Sequence, residues 1–216
     1  MIAEGPARGA REGGRPRCAR GTRQTRETSI RIELALDGGA RRIEVPDGFF
    51  GHMLDALALH GGFGVELAAT GDVHVDLHHA VEDTGIAFGE ALAAALGERR
   101  GIVRFAHAYA PLDEALARAV VDLSGRGYFA WRCPAEIESA WVTRDFPLTL
   151  VADFFQALAD RGRLTLHLDL LAARNPHHAA EACFKAVALA LRGAVALRGG
   201  VGAEPEIPST KGELAR

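Results

Sequence analysis

The chain has 216 residues, 48% of them hydrophobic and 25% charged, with a formal net charge of −3. That size suits one compact domain or two fused half-domains, the charge gives no reason to expect nucleic acid, and no apolar run approaches the roughly 18 to 20 residues of a membrane span. Cys18, Cys133 and Cys183 form no CxxC pair, so neither a disulfide framework nor a thiolate zinc site is expected, and the expected compartment is the reducing cytoplasm.

Residues 1–25 are rich in Arg and Gly and nearly free of large apolar side chains, which is the composition of a disordered tail. Glu4, Glu12 and the lack of serine set this segment apart from a transit peptide, and it has no apolar stretch of the secretory kind. From residue 28 the pattern tightens. SIRIELAL alternates as a half-buried strand, DGGA is a turn, RRIEV reads as a second strand, and GFFGHMLDALALHGG as a short helix closed by glycines. FGVELAATGDVHVDL reads as two strands around Gly71–Asp72, and IAFGEALAAALG as a helix ending at Gly97.

The order then restarts. IVRFAHAYAPL and ALARAVVDLSGRGYFAWRC carry strand-like runs, LTLVADFFQALADRG a helix, LTLHLDLL a strand, and AEACFKAVALALRGAVAL a long final helix. The pattern predicts one domain over 26–216, made of repeat halves at about 26–100 and 101–200 followed by a C-terminal segment. The fold class is α+β, with internally duplicated halves in which antiparallel sheets pack against helices.

Each half contains the same signature, HHAVE at His78 and HHAAE at His177, opening a helix. Adjacent side chains diverge by about 100° around a helix axis, so neighbouring histidines suit two different ions better than one. Residues three or four apart share a face, which brings Glu82 to the first pair and Glu181 to the second. His52 lies 26 residues before His78, and Asp153 lies 24 before His177, each in the preceding short helix. The candidate donors are therefore His52, His78, His79, Glu82, Asp153, His177, His178 and Glu181. Imidazole and carboxylate without thiolate suit a borderline divalent ion in an open, catalytic style of site. One His pair at a helix start is more often capping or surface; two in equivalent places point to metal. His60, His74, His107 and His167 read as ordinary structural or surface histidines.

The chain resembles the imidazoleglycerol-phosphate dehydratase family from Arg26 to Leu214. The resemblance is carried by RET, GHMLD, HHAVEDTG, GIVRFAHAYAPLDEALA, DLSGR, TLHLDLL, NPHHAAEACFKA and IPSTKGEL. It implies a ribosomal protein S5 domain 2-like fold, a homo-oligomer that reaches a 24-subunit shell, and two Mn2+ per active site where subunits meet. One ion would take His52, His79, His177 and Glu181, and the other His78, Glu82, His178 and Asp153. The resemblance also implies a phosphate pocket of Arg104, Arg126, Lys185, Ser209 and Lys211, a donor set that suits a dianion.

The implied activity is dehydration of D-erythro-imidazoleglycerol phosphate to imidazole-acetol phosphate in histidine biosynthesis. The carbon-bound proton is not acidic unaided, so a Lewis acid on the ring and a carboxylate base are needed. Glu27 matches the family's proton-transfer residue, and His78 and Glu181 complete the implied catalytic set. Asp153 stands where the family usually has His or Glu, Gly51 where it has Asp, Ala56 often Gln, and Leu77 often an acid. These departures leave open a paralogue acting on a related imidazole or polyol phosphate, and a non-catalytic metal-binding shell protein.

Overall fold

The computed structural model describes residues 16–198, 206–210 and 214. The first half runs β1 (Cys18–Gln24), β2 (Thr28–Ala35), β3 (Arg41–Glu44), α1 (Gly48–Gly61), β4 (Gly64–Gly71) and α2 (His78–Leu96). The second runs β5 (Phe105–Leu112), β6 (Ala115–Asp122), β7 (Tyr128–Arg132), the short α3 (Ala135–Glu138), α4 (Thr149–Gly162), β8 (Thr165–Ala172) and α5 (Pro176–Val195).

Each half makes a four-stranded sheet of the same order, β1-β2-β4-β3 and β5-β6-β8-β7. The duplication legible in the sequence is thus matched strand for strand. The sheets are mixed, however, and not purely antiparallel. The pairs β1–β2 and β2–β4 are antiparallel while β3–β4 is parallel, and β5–β6, β6–β8 and β7–β8 repeat that arrangement. The cause is the helix between the last two strands of each sheet: α1 returns the chain after β3, so β4 enters in the same direction.

Two further expectations are corrected. The Arg/Gly-rich segment is not unstructured up to residue 25: Cys18 to Gln24 is strand β1, in register with β2 from Cys18↔Ala35 to Gln24↔Ser29. Pairing to a neighbouring strand satisfies its backbone groups whatever its composition. Residues 1–15 lie outside the described residues. The VHVDL stretch is not a strand; the Val75 N–H donates to the Asp72 carbonyl in a turn, and Val73 and Val75 are exposed.

The helices pack between the sheets and across the halves. In the helix layer α2 lies on α4 and α1 on α5, while α2 also covers β1 and β2, and α5 covers β5 and β6. Phe154 of α4 ties these helices together. Its ring is 5.6 Å from Phe50 of α1, 6.5 Å from Phe88 of α2 and 5.3 Å from Phe184 of α5. All four rings are essentially inaccessible to solvent and belong to one continuous core. Burying each contributes about 1.5–3 kcal/mol, so the layer between the halves is a substantial part of the core. No helix among the described residues is long and apolar enough to cross a membrane.

Candidate metal and catalytic site

Both histidine pairs sit in the first turn of a helix whose first N–H is accepted by a side chain two residues before it. Asp76 Oδ1 accepts the His78 N–H at 2.8 Å, and Asn175 Oδ1 accepts the His177 N–H at 2.9 Å with Pro176 in the first turn. Leu77, the departure just before the first pair, is the N-cap residue and is buried in the core, and the neighbouring Asp76 accepts the His78 N–H. The rings of each pair diverge as helix geometry requires, with centroids 6.0 Å apart for His78–His79 and 6.2 Å for His177–His178.

One ring of each pair faces the other half of the chain. His78 and Glu82 look onto α4, where His78 Nδ1 is 3.4 Å from Asp153 Oδ2 and His78 Nε2 is 4.0 Å from Glu82 Oε2. His177 and Glu181 look onto α1, where Glu181 Oε2 is 3.4 Å from His177 Nε2 and 3.6 Å from His52 Nε2. Donor atoms of His52, His177 and Glu181 all lie within 4.8 Å of one another, close enough to share an ion. Burial works against the charge on Glu181, but the hydrogen bond from Lys185, 2.7 Å from its other oxygen, prevails and lowers its pKa.

The second ring of each pair is held by a carboxylate. His79 Nδ1 is 3.1 Å from Asp72 Oδ2 and 3.7 Å from Glu27 Oε2. The Asp72 hydrogen bond raises the His79 pKa, with Glu27 adding to it. His178 Nδ1 is 2.9 Å from Glu114 Oε2, and this bond, with backbone N–H donors, brings the Glu114 pKa down to about 2. A carboxylate on Nδ1 fixes the tautomer and turns the ring, so that Nε2 becomes the ligand nitrogen.

Of the first implied ligand set, the chain brings together His52, His177 and Glu181, while His79 is held by Asp72. Of the second, Asp153 lies on Nδ1 and Glu82 on Nε2 of the His78 ring, so the two carboxylates flank different ring nitrogens, while His178 is held by Glu114. Asp153, the shorter carboxylate, reaches the His78 ring nonetheless.

Among the phosphate candidates, Arg104 has a left-handed backbone with φ of 80° and is already engaged. Its Nε donates to Asp122 Oδ1 at 2.8 Å, and its Nη1 to the Pro208 carbonyl at 2.7 Å, which brings the segment holding Ser209 alongside. Arg126 is exposed in the loop after β6, and Lys185 is on Glu181. Lys211 lies outside the described residues.

Four residues beside the site were missed from sequence: Asp72, Glu114, Arg23 and Asp83. Asp83 is the one with a local signal, since it lies one helical turn after His79 and so shares its face. Asp72 stands in the loop just before the helix, at a distance no helical spacing fixes, while Arg23 and Glu114 come from a strand and a turn far away in the chain.

The fold and these clusters define an internally duplicated α+β protein with paired histidine–carboxylate sites built from both halves. The family model described as Imidazoleglycerol-phosphate dehydratase matches residues 46–191. A curated protein of that name from Magnetococcus marinus is 47% identical over 200 residues, covering 92% of this chain and 98% of the relative. One from Gluconobacter oxydans is 50% identical over 201 residues, with 92% and 98% covered. The crystal structure of imidazoleglycerol-phosphate dehydratase from Staphylococcus aureus matches at a TM-score of 0.74 and 34% identity, covering 84% of this chain and 99% of that one. The structure from Pyrococcus furiosus matches at 0.76 and 36%, covering 89% and 99%. The chain belongs to the imidazoleglycerol-phosphate dehydratase family, whose members are hydro-lyases.

Proposed function

We propose that the chain dehydrates D-erythro-imidazoleglycerol phosphate to imidazole-acetol phosphate and water in cytoplasmic histidine biosynthesis, at sites completed between subunits of a homo-oligomer. The observation that carries this reading is that three of the four donors of the first ligand set are gathered while the fourth, His79, stands on another helix. His52, His177 and Glu181 meet from both halves within 4.8 Å, and the His78 ring stands between Asp153 on Nδ1 and Glu82 on Nε2. In each set the remaining imidazole is turned about 100° away on its own helix and fastened by a carboxylate. A second copy offering His79 or His178 supplies the fourth donor.

The donors fit a divalent ion: they are nitrogen and oxygen only, and one group is already gathered within 4.8 Å. Two Mn2+ per active site, when bound, supply the Lewis acid that lets the imidazole ring accept charge. The chain's own groups do the rest. Glu27, at the β1–β2 turn beside His79, carries the proton transfer at carbon, with His78 and Glu181 completing the catalytic set. Arg104, Arg126, Lys185, Ser209 and Lys211 hold the phosphate, so that binding energy at a remote group orients the reacting carbons. Association of copies, for which the family resemblance implies a 24-subunit shell, is supported by the outer face of the second sheet, where Phe105, Tyr109, Val120, Tyr128 and Leu171 are exposed.

The test is turnover of the purified protein with Mn2+ and imidazoleglycerol phosphate. Release of imidazole-acetol phosphate is expected; no product despite full metal loading and normal assembly rejects the reading.

A further inference from the structure

Asp83 is buried in α2 at 6% exposure, one turn after His79, and faces the β1–β2 turn. It takes two bonds there. Arg23 of β1 donates from Nε to Asp83 Oδ1 at 2.8 Å, and the Thr28 hydroxyl donates to Oδ2. That commits the single Thr28 hydroxyl hydrogen, so the Thr25 hydroxyl, 3.1 Å away, is the donor to Thr28 Oγ1. Thr25 Oγ1 in turn accepts the backbone N–H groups of Glu27 at 3.1 Å and Thr28 at 2.9 Å. One directed hydrogen-bond chain therefore runs from the Asp83 carboxylate through two hydroxyls to the backbone of Glu27.

The repeat supplies a contrast within the same molecule. Glu114 occupies the place of Glu27, one residue before the second strand of its sheet, and the residue one turn after His178 is Ala182. With no acid there to brace the turn, the Glu114 carboxylate itself is spent on His178 Nδ1 and on the N–H groups of Arg174 and Asn175. In the first half Asp72 takes the Nδ1 of His79, Asp83 braces the turn, and Glu27 stays 3.7 Å from His79 with its side chain 52% exposed.

We propose that Asp83 is a positioning residue for Glu27, fixing the Thr25–Thr28 turn through the two threonine hydroxyls so that the Glu27 carboxylate stands beside His79 without being hydrogen-bonded to it as Glu114 is to His178. This rests on the proton-transfer role of Glu27 given above. Displacement of a reacting group by about 1 Å costs about 100-fold in rate, which sets the size of the effect.

The experiment is a double-mutant cycle on the Mn2+-loaded enzyme, with kcat, KM, bound Mn2+ per chain and thermal midpoint measured for Asp83→Asn, Glu27→Gln and the double variant. Asp83→Asn is expected to lower kcat by about 10- to 100-fold with KM and bound Mn2+ little changed. The double variant is expected to match Glu27→Gln alone, because a group that acts only through Glu27 has nothing left to position. Thr28→Val, which deletes only the hydroxyl link, is expected to reproduce the kcat loss, and Thr28→Ser to restore activity. Losses that add in the double variant, or wild-type kcat in Thr28→Val, overturn the proposal while leaving Glu27 in its role. Wild-type kcat in Glu27→Gln removes that role and the proposal with it.

Discussion

Gly85 of α2 lies directly against the carbonyl of Phe154 in α4, and a Cβ added there would stand 2.5 Å from that oxygen. Gly89, one turn on, has the same relation to Leu158, at 2.6 Å. His78, Glu82, Gly85 and Gly89 form one stripe along α2, so the contact that forbids a side chain at the glycines also draws the histidine and glutamate up to Asp153. The seam between the halves is thus part of the site.

Gly85→Ala tests this seam. Helix propensity alone favours alanine by about 1 kcal/mol. Overpacking against a backbone oxygen costs about 1–3 kcal/mol and should dominate, because the main chain has little room to yield. The expected result is a lower thermal midpoint together with weaker metal binding; an unchanged or raised midpoint would show that the helices can separate freely.

Glu114→Gln keeps the shape of the carboxylate beside His178 and removes its charge. If that carboxylate orients a ligand imidazole, Mn2+ affinity should fall about 10- to 100-fold while the fold survives. Equilibrium dialysis of folded protein measures it, and unaltered affinity would make Glu114 a turn residue only.

His79→Ala and Glu181→Ala test the proposed sharing of an ion between copies. On that proposal each should abolish metal-dependent assembly, the first by removing the donor offered to a neighbour and the second by emptying the cluster that would receive it. Sedimentation with and without Mn2+ reads the outcome; a large oligomer that forms regardless counts against ions at the interface.

Asp169, buried in β8, is one of the carboxylates that contribute to the acid limb of stability. Burial alone would raise its pKa, but the bonds from Arg132 at 2.6 Å and Arg118 at 2.5 Å hold it below the ordinary value. A carboxylate with a depressed folded-state pKa contributes stability that is present above its unfolded pKa and is lost as pH falls through the folded one. Asp169→Asn should therefore destabilise the protein at neutral pH by about 1–3 kcal/mol and flatten the loss of stability below the carboxylate range, measured by denaturant melts across pH.

Much of the fold could be read directly from the chain, because the repeated elements announce themselves by period: SIRIELAL alternates as a strand does, and the helices carry their apolar stripes. The strand β1 could not. Its inward-facing residues are Ala19, Gly21 and Arg23, so it has no apolar alternation, and it exists because β2 pairs with it along its whole length. Arg23 faces inward because Asp83 receives it, a partner 60 residues away. The parallel pairing of β3 with β4 was equally invisible, since strand direction follows from where α1 returns the chain.

The chain by itself determined the local geometry of the candidate site: two histidines per helix start diverging by about 100°, and a glutamate one turn on, follow from the repeat of the α-helix alone. Only the tertiary structure decided which acid meets which ring. Asp72 reaches His79 from the preceding loop, Glu114 reaches His178 across 64 residues, and Asp153 reaches His78 from the other half. Helical spacing acts within a few residues, whereas these pairings depend on how the two sheets and the helices between them pack, and the glycine seam of α2 shows that the packing tolerates little freedom.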